Sequence, residues 1–197
     1  APKWAGRCEA CGAWNSIVEE QISSRPSLAK SAKSGQIIEF TKLEQQSPRQ
    51  GLVRMLSEIS EFDRVTGGGI VPGSVLLIGG DPGIGKSTLL LQLACKLSQN
   101  KIQTVYITGE ESADQVRLRA QRLNLKDSQI GIATATNACD IAETIRRSPN
   151  LELIIIDSIQ TMYLPALDSS PGTVSQVRAS AQELIQAAKQ QKTALIF

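Results

Sequence analysis

The chain has 197 residues, of which 41% are hydrophobic, and its formal net charge at pH 7 is +2. Such a chain can bury one substantial core, so we expect one main domain with a small appendage, and a fibre, a wholly disordered chain and a strongly basic nucleic-acid surface are excluded. Histidine is absent and no apolar run reaches roughly 20 residues, which excludes hydrolases with a histidine base, histidine-ligated metals and membrane-spanning helices. We therefore expect a cytoplasmic protein without membrane contact.

A cysteine pair lies near the start of the chain. Cys8 and Cys11, in GRCEACGAW, have the spacing of half a zinc ribbon. A tetrahedral zinc ion requires two further ligands, and Cys95 and Cys139 fall in predicted helices of another domain, where buried inert thiols are usual. We interpret residues 1–16 as the C-terminal half of a zinc-finger module, with Zn²⁺ held only if a preceding cysteine pair is present. A redox or vestigial pair is the alternative.

A polar segment comes after the cysteine pair. Residues 17–50 are rich in Ser, Gln, Lys and Glu with little periodicity, which predicts a solvated linker with one short strand at IIEF. From residue 51 to residue 197, apolar segments alternate with Gly-rich or polar turns, which predicts one folded domain. The chain begins without Met and stops inside the apolar run TALIF, so we expect a piece of a longer protein, with this domain truncated at its C-terminus.

Strand and helix patterns alternate along this domain. The predicted strands are SVLLIGG, TVYITGE, IGIATAT, LELIIIDS and TALIF, apolar runs typical of parallel strands covered on both faces. The predicted helices span residues 87–97, 113–123, 139–147 and 174–191, and Ser112 and Gln115 have the spacing of a capping box. The order predicts an α/β fold in which helices flank a mainly parallel, doubly wound sheet with right-handed crossovers.

A glycine-rich motif joins the first of these strands to the first helix. Gly80, Gly85, Lys86 and Ser87 satisfy G-x-x-x-x-G-K-[ST] in the strand-to-helix context that a phosphate-binding P-loop requires. Backbone N–H groups would surround the phosphates, Lys86 would reach the β- and γ-oxygens, and Ser87 would ligate Mg²⁺. A plain Gly-rich turn is the alternative. The predicted nucleotide-binding residues here are Gly80, Asp81, Pro82, Gly83, Ile84, Gly85, Lys86, Ser87 and Thr88.

Three acidic residues lie at the ends of two of the other strands. Asp157 ends LELIIIDS and is a candidate second ligand of Mg²⁺, although a helix N-cap is the alternative. Glu110 and Glu111 end TVYITGE and begin the next turn. Because the carboxyl ends of parallel strands bind ligands, these residues are expected in the same crevice as the P-loop. We choose Glu110 as the catalytic base, and a solvated first-turn acid is the alternative for either glutamate.

Taken together, these residues resemble the RadA (Sms) family of bacterial DNA-repair ATPases, within the RecA-like P-loop ATPases. The stretches that carry the resemblance cover most of the chain outside the linker: PKWAGRCEACGAWNS, EFDRVTGGGIVPGSVLLIGGDPGIGKSTLLLQLA, YITGEES and IIIDSIQTMY. The resemblance implies a RecA-like core that hydrolyses ATP with Mg²⁺, a preceding four-cysteine zinc finger and a following Lon-protease-like domain. It also implies a hexameric ring on single-stranded or branched DNA that processes recombination intermediates by ATP-driven branch migration.

The resemblance also assigns roles to individual positions. Gly80, Gly85, Lys86 and Ser87 match the Walker A residues, with Thr88 as a further phosphate contact. Asp157 matches the Walker B acid, and Glu110 lies where RecA-like ATPases keep their catalytic glutamate, so Lys86 and Glu110 are the implied catalytic residues. Residues 163–175 lie where RecA-like proteins have a mobile DNA-facing loop, but the loop contains no Lys or Arg. An ordinary surface loop is therefore the alternative.

Other classes of nucleotide-binding protein carry motifs of their own. A guanine-specific GTPase would show N-K-x-D and an ABC ATPase would show L-S-G-G-Q, and the sequence contains neither motif. Another RecA-like ATPase, of the clock-protein or replicative-helicase type, would share the core residues and differ mainly in the N-terminal cysteines. An ATP-binding assembly module without turnover is the remaining alternative, because ring ATPases often complete a site with a residue from the neighbouring subunit.

Overall fold

A computed structural model describes residues 40, 42, 53–125 and 128–197 of the chain. The fold lies in one unit of the chain, Ser47–Phe197. The predicted zinc-finger half with Cys8 and Cys11, and nearly all of the predicted linker with its strand at IIEF, lie outside the described residues. The domain boundaries at residues 16 and 50 therefore stay predictions. In the part that the structure describes, no helix combines the length and the hydrophobicity needed to cross a membrane.

Helices and strands alternate along the described chain. The helices are α1 Ser60–Val65, α2 Lys86–Gln99, α3 Ala113–Arg122, α4 Ala138–Arg146 and α5 Val174–Gln191, with a 3₁₀ turn at Ile159–Thr161. The strands are β1 Val75–Leu76, β2 Thr104–Thr108, β3 Gly131–Thr134, β4 Leu153–Asp157 and β5 Ala194–Ile196. The four predicted helices are confirmed to within two residues at each end, and the capping box of Ser112 and Gln115 is present at the start of α3.

Helix α1 is the element that the sequence patterns did not predict. It has only six residues, and its N-cap residue Ile59 makes no side-chain cap. The Asp63 carboxylate instead accepts hydrogen bonds from Ser57 N at 3.0 Å, Ser57 Oγ at 2.8 Å and Glu58 N at 3.1 Å. Because these bonds fold the preceding segment back on the helix, α1 depends on contacts that a helical periodicity does not reveal.

The five strands form one parallel sheet in the order β1-β5-β4-β2-β3. The last strand in the chain, β5, lies between the P-loop strand β1 and strand β4, which ends at Asp157. Strands β4 and β2 are direct neighbours, with Asp157 opposite Thr108. The predicted parallel α/β architecture is confirmed, and it brings the carboxyl ends of β1, β4 and β2 to the same edge of the sheet.

The apolar run of β4 is explained by burial on both faces of the sheet. Leu153 and Ile155 belong to the cluster that contains the buried side chains of α2 and α3, and Ile154 and Ile156 belong to the cluster with α4 and α5. Each of these four side chains is at most 1% exposed, which contributes about 1.5–3 kcal/mol per side chain. The central position of β4 thus holds its last residue, Asp157, on a rigid support.

The two outer strands of this sheet differ from the prediction of strands covered on both faces. Strand β1 is limited to two residues of the predicted run 74–80, and Leu77 beside it is 74% exposed. Strand β3 is mostly exposed. Within the described sheet each pairs with only one neighbour, so apolar composition alone does not reveal which strands lie at its borders.

Candidate nucleotide-binding site

The predicted P-loop connects β1 to α2 through two glycines in the left-handed region. Gly83 has φ of 80°, and Gly85, the N-cap of α2, has φ of 102°. L-residues adopt these angles only with strain, so glycine is required for the turn itself. A Cβ atom added at either position would meet no protein atom within 4 Å. The loop is therefore an open cradle, and the first N–H groups of α2 lack helical partners at this end.

Lys86 folds back over this loop. Its Nζ donates hydrogen bonds to the carbonyl oxygens of Gly80 at 2.9 Å and Asp81 at 2.8 Å. Both partners are neutral, so phosphate oxygens would be stronger acceptors for the ammonium group. Ser87 and Thr88 follow in the first turn of α2, which puts two hydroxyl-bearing residues at the same end of the helix as the cradle.

Asp157 is half-buried at the end of β4 and has a specific partner. The hydroxyl of Tyr106, which is fully buried in β2, donates a hydrogen bond to Asp157 Oδ2. Burial and, next, this bond to a carboxylate raise the pKa of Tyr106 well above its ordinary value, so the hydroxyl remains a donor at neutral pH. Among the described residues, no side chain donates to Oδ1 of Asp157, which leaves that oxygen for another ligand.

The structure distinguishes the two glutamates that follow β2. The Thr108 hydroxyl accepts from the backbone N–H groups of Glu110 at 3.3 Å and Glu111 at 3.0 Å, which fixes the turn that carries them. Glu110 is exposed and its Oε1 accepts from Ser158 Oγ at 2.9 Å, beside Asp157. Glu111 instead forms an ion pair with Arg119 of α3. The side chain of Glu110 therefore lies on the Asp157 side, and Glu111 is engaged elsewhere.

The fold brings the predicted residues to one edge of the sheet. Glu110 and Asp157 come from adjacent strands and are linked through Ser158. The P-loop follows β1, two strands away from β4, a separation of about 10 Å at the usual strand spacing. This is a span that a triphosphate chain with its cation can bridge. The catalytic role of Glu110 and the ligand role of Asp157 remain predictions.

The oxygen donors at this edge fit magnesium bound together with a nucleotide. Within residues 53–125 and 128–197, no group of three or more Cys, Asp or Glu side chains could hold a metal ion by itself. Magnesium is usually held by one or two carboxylates with substrate phosphates and water, so a complete protein cage is not required. The free Oδ1 of Asp157 and the Ser87 hydroxyl are oxygen donors of the right kind.

Three residues of this network were missed by the sequence interpretation: Tyr106, Arg119 and Ser158. Tyr106 lies within an apolar strand and Arg119 in a polar helix, so each fits an ordinary structural role. A usable signal was present, because a buried tyrosine hydroxyl nearly always requires a hydrogen-bond partner. Tyr106 is two residues before the end of its strand, which points toward the polar edge of the sheet.

The predicted DNA-facing loop, residues 163–175, is tied to α5 by one buried side chain. Gln176 is 1% exposed, and its Oε1 accepts from Leu164 N at 2.9 Å. Its Nε2 donates to the carbonyl oxygens of Leu164 at 3.3 Å, Leu167 at 3.2 Å and Ser169 at 2.8 Å. The backbone of the loop is thus held around a single amide. Contact of this loop with DNA stays a prediction.

Comparison with family models gives two matches along the chain. The model described as AAA domain matches residues 46–197. The model described as rubredoxin metal binding domain matches residues 1–19, which include Cys8 and Cys11. The first match covers the whole described fold and agrees with the predicted ATPase core, and the second agrees with the predicted zinc-ribbon segment.

Similar sequences carry a consistent name. The chain is 48% identical to the DNA repair protein RadA of Brucella abortus (strain 2308), over 99% of the chain and 43% of that protein. It is 50% identical to RadA of Rickettsia conorii (strain ATCC VR-613 / Malish 7), over 100% of the chain and 44% of that protein. For RadA of Bacillus subtilis (strain 168) the identity is 42%, over 96% and 42% respectively. The chain thus spans about two fifths of the length of these relatives, and the predicted resemblance to RadA is confirmed.

Two solved structures share the fold at low sequence identity. One is an isolated ATPase domain, which matches with a TM-score of 0.61 and 18% identity, over 74% of this chain and 63% of that chain. The other is a DnaB-like replicative helicase, from a structure that concerns its interactions with primase, with a TM-score of 0.62 and 18% identity, over 74% and 42%. These likenesses confirm the RecA-like core. The chain therefore belongs to the AAA domain family, with a RecA-like P-loop core and an N-terminal segment of the rubredoxin metal binding type.

Proposed function

We propose that the chain binds ATP with Mg²⁺ and hydrolyses it at the edge of the sheet formed by the ends of β1, β2 and β4. The observation that carries this proposal is the combination of the open P-loop with Lys86 and the pair Asp157 and Glu110 on adjacent strand ends. Membership of the AAA domain family supports it. A nucleotide-binding turn alone would not require a second acidic edge.

Each residue of this edge has a distinct role in the proposed reaction. The N–H groups at the start of α2 and the Lys86 ammonium would hold the phosphates and balance charge that develops during transfer. When bound, Mg²⁺ would neutralise the β- and γ-oxygens, with Ser87 and Asp157 as its protein ligands. Glu110 would orient a water molecule and accept its proton as that water attacks the γ-phosphorus and the bond to the bridging oxygen of ADP breaks.

We further propose that ATP hydrolysis is DNA-dependent and that the complete protein acts on single-stranded or branched DNA in repair. The support comes from relatives that are named DNA repair protein RadA. Hexameric ring assembly, branch migration in homologous recombination and a cytoplasmic location belong to the same proposal. The loop of residues 163–175 has no Lys or Arg and Arg178 is the nearest cation along the chain, so this loop would supply backbone and hydroxyl contacts without base specificity.

Two alternatives remain within this proposal. A RecA-like ATPase of the replicative-helicase or clock-protein type would share the same edge of the sheet, but the relatives named RadA favour the repair function. An assembly module that binds ATP without turnover would also keep the P-loop. It would have no use for a glutamate held beside Asp157 through Ser158.

ATP turnover with and without single-stranded DNA tests the function, with a Glu110→Gln variant and Glu111→Gln as its matched control. Because Glu110 is the proposed base, we expect Glu110→Gln to lower kcat by about 10²- to 10⁴-fold and to leave ATP binding within about threefold of wild type. Glu111→Gln should keep most of the turnover. Equal, nonzero rates for wild type and Glu110→Gln would remove Glu110 from the mechanism. ATP binding without any turnover in wild type would favour the assembly module.

We also propose that Cys8 and Cys11 supply two of the four thiolates of a zinc site. The match of residues 1–19 to a rubredoxin metal binding domain supports a metal in this segment. We expect the 197-residue chain to retain little zinc, and a version extended upstream by a second cysteine pair to retain about one zinc per chain, because two thiolates do not complete a tetrahedral site. Metal analysis of both proteins measures this. One zinc per monomeric 197-residue chain would contradict the proposal.

A further inference from the structure

The hydroxyl of Tyr106 contacts the carboxylate that is expected to hold magnesium. Tyr106 is fully buried in β2, and its hydroxyl donates to Oδ2 of Asp157 in the neighbouring strand β4. Hydrogen bonds to a carboxylate are among the stronger ones in proteins, because the acceptor is charged. The bond therefore restricts rotation of a carboxylate that lies at the end of its strand and would otherwise have two free torsions.

The proton of this hydroxyl has only one acceptor in the network. Nη2 of Arg119 lies 3.5 Å from the Tyr106 oxygen, and a guanidinium group can only donate. The lone pairs of the tyrosine oxygen therefore face Arg119 and its proton faces Asp157. Arg119 is itself fixed, because it pairs with the Glu111 carboxylate and its side chain is 12% exposed. The direction of the Tyr106 bond is thus set by the partners on both sides.

The ring of Tyr106 has little freedom to move. It belongs to the buried cluster that also contains Leu90, Leu91 and Leu93 of α2, the helix that begins at the P-loop. Val116 of α3 is a member of the same cluster. Protein cores are close-packed and hold aromatic rings in one orientation. One side chain therefore connects the core beneath the P-loop helix to the proposed metal-binding carboxylate.

We propose that Tyr106 is a positioning residue for the metal site: its hydroxyl holds Oδ2 of Asp157, so that Oδ1 is presented to the cation that accompanies the nucleotide. This inference rests on the proposed function, because it assumes that Asp157 ligates magnesium. It adds a specific partner behind the ligand. Partners of this kind typically change metal affinity or activity by about 10- to 100-fold when they are removed.

Metal binding by the full chain in the presence of ATP tests the proposal, with Mn²⁺ observed by electron paramagnetic resonance as the probe. Tyr106→Phe removes only the hydroxyl. We expect it to weaken Mn²⁺ binding about tenfold or more, while binding of ATP in EDTA stays unchanged and turnover recovers at high Mg²⁺. Tyr163→Phe is the matched control, because Tyr163 lies outside this network, and it should bind Mn²⁺ as wild type does. A merely structural defect would not be restored by added metal.

The result that overturns the proposal is a Tyr106→Phe variant that binds Mn²⁺ within about twofold of wild type. In an Asp157→Asn background, Tyr106→Phe should have no additional effect on metal affinity, since the two residues act through one bond. An undiminished effect there would also overturn it. If Tyr106→Phe does not fold, Arg119→Met serves instead: it leaves the hydroxyl free to turn away from Asp157, and unchanged Mn²⁺ affinity would count against the proposal. Failure of wild type to bind ATP with Mn²⁺ would refute the proposed function itself.

Discussion

At the scale of single residues, the ends of β2 and β4 are held together by a close approach that only glycine permits. The N–H group of Gly109 donates to the carbonyl oxygen of Asp157 at 3.1 Å. A Cβ atom at Gly109 would lie 2.0 Å from Thr161 Oγ1 and 2.8 Å from Thr161 Cβ. Since Gly109 directly precedes Glu110, the same contact positions the turn that carries the proposed base.

Gly109→Ala should therefore impair both stability and turnover. Because the added methyl group overlaps the branched side chain of Thr161, we expect a loss of about 1–3 kcal/mol in the free energy of unfolding. Turnover should fall because the Glu110 turn moves away from Asp157. Urea denaturation and ATP hydrolysis measure the two effects, and Gly109→Ala combined with Thr161→Gly should recover part of both.

Gly79→Ala is the control for this substitution. A Cβ atom at Gly79 meets no atom within 4 Å, so the stability should change much less than for Gly109→Ala. Equal stabilities for the two alanine variants would show that the contact between Gly109 and Thr161 relaxes without cost.

At the scale of elements, α5 both covers the sheet and organises the segment that precedes it. Its buried residues Leu184, Ala187 and Ala188 pack in the cluster with β4 and α4. Its first turn carries Gln176, whose amide group bonds the backbone of the loop before it. The loop that resemblance places at the DNA-facing position is therefore anchored at this point to the helix that follows it.

Gln176→Leu should release this loop. The substitution keeps an apolar volume but leaves the N–H of Leu164 and the carbonyl groups of Leu164, Leu167 and Ser169 without their partner, so we expect a loss of about 2–4 kcal/mol. Hydrogen exchange of the loop amides should accelerate, while exchange in β4 changes only in proportion to global stability.

Gln182→Leu, at an exposed position of the same helix, is the matched control and should leave the exchange of the loop unchanged. Unaltered loop exchange in Gln176→Leu would show that other contacts hold the loop. Faster exchange combined with altered DNA stimulation of ATP turnover would support the proposed DNA-facing role.

At the scale of the whole molecule, function depends on strand order. The P-loop strand β1 and the Asp157 strand β4 are separated by β5, and Glu110 follows β2 on the far side of β4. A nucleotide bound across this edge would contact elements that are distant from one another in the described chain. Binding should therefore stabilise the fold as a unit.

ATP with Mg²⁺ should raise the melting temperature of the chain. At an ATP concentration about 100 times Kd, binding adds about 2.7 kcal/mol to the free energy of unfolding, or roughly 5–10 °C in Tm for a protein of this size. Differential scanning fluorimetry measures the shift. Lys86→Met should abolish most of it, because the P-loop loses its cation. A wild-type protein whose Tm is the same with and without ATP and Mg²⁺ would refute nucleotide binding.

Much of the fold was accessible from local pattern. The four long helices and five strands follow from hydrophobic runs, capping residues and Gly-rich turns, since these signals act within one element. Two kinds of feature were not accessible. Helix α1 depends on the Asp63 carboxylate, and the exposure of Leu77 depends on which strands lie at the border of the sheet. Both are set by neighbours that are not adjacent in the chain.

By itself, the sequence determined the P-loop, its expected guest and the family, because a phosphate cradle depends on the types and spacing of a few consecutive residues. Only the tertiary structure decided which side chains support that cradle. The partners Tyr106 and Asp157 are 51 residues apart, and Ser158 and Glu110 are 48 apart. Their contact depends on β2 and β4 being paired in one register. That pairing is a property of the assembled sheet, which no local spacing encodes.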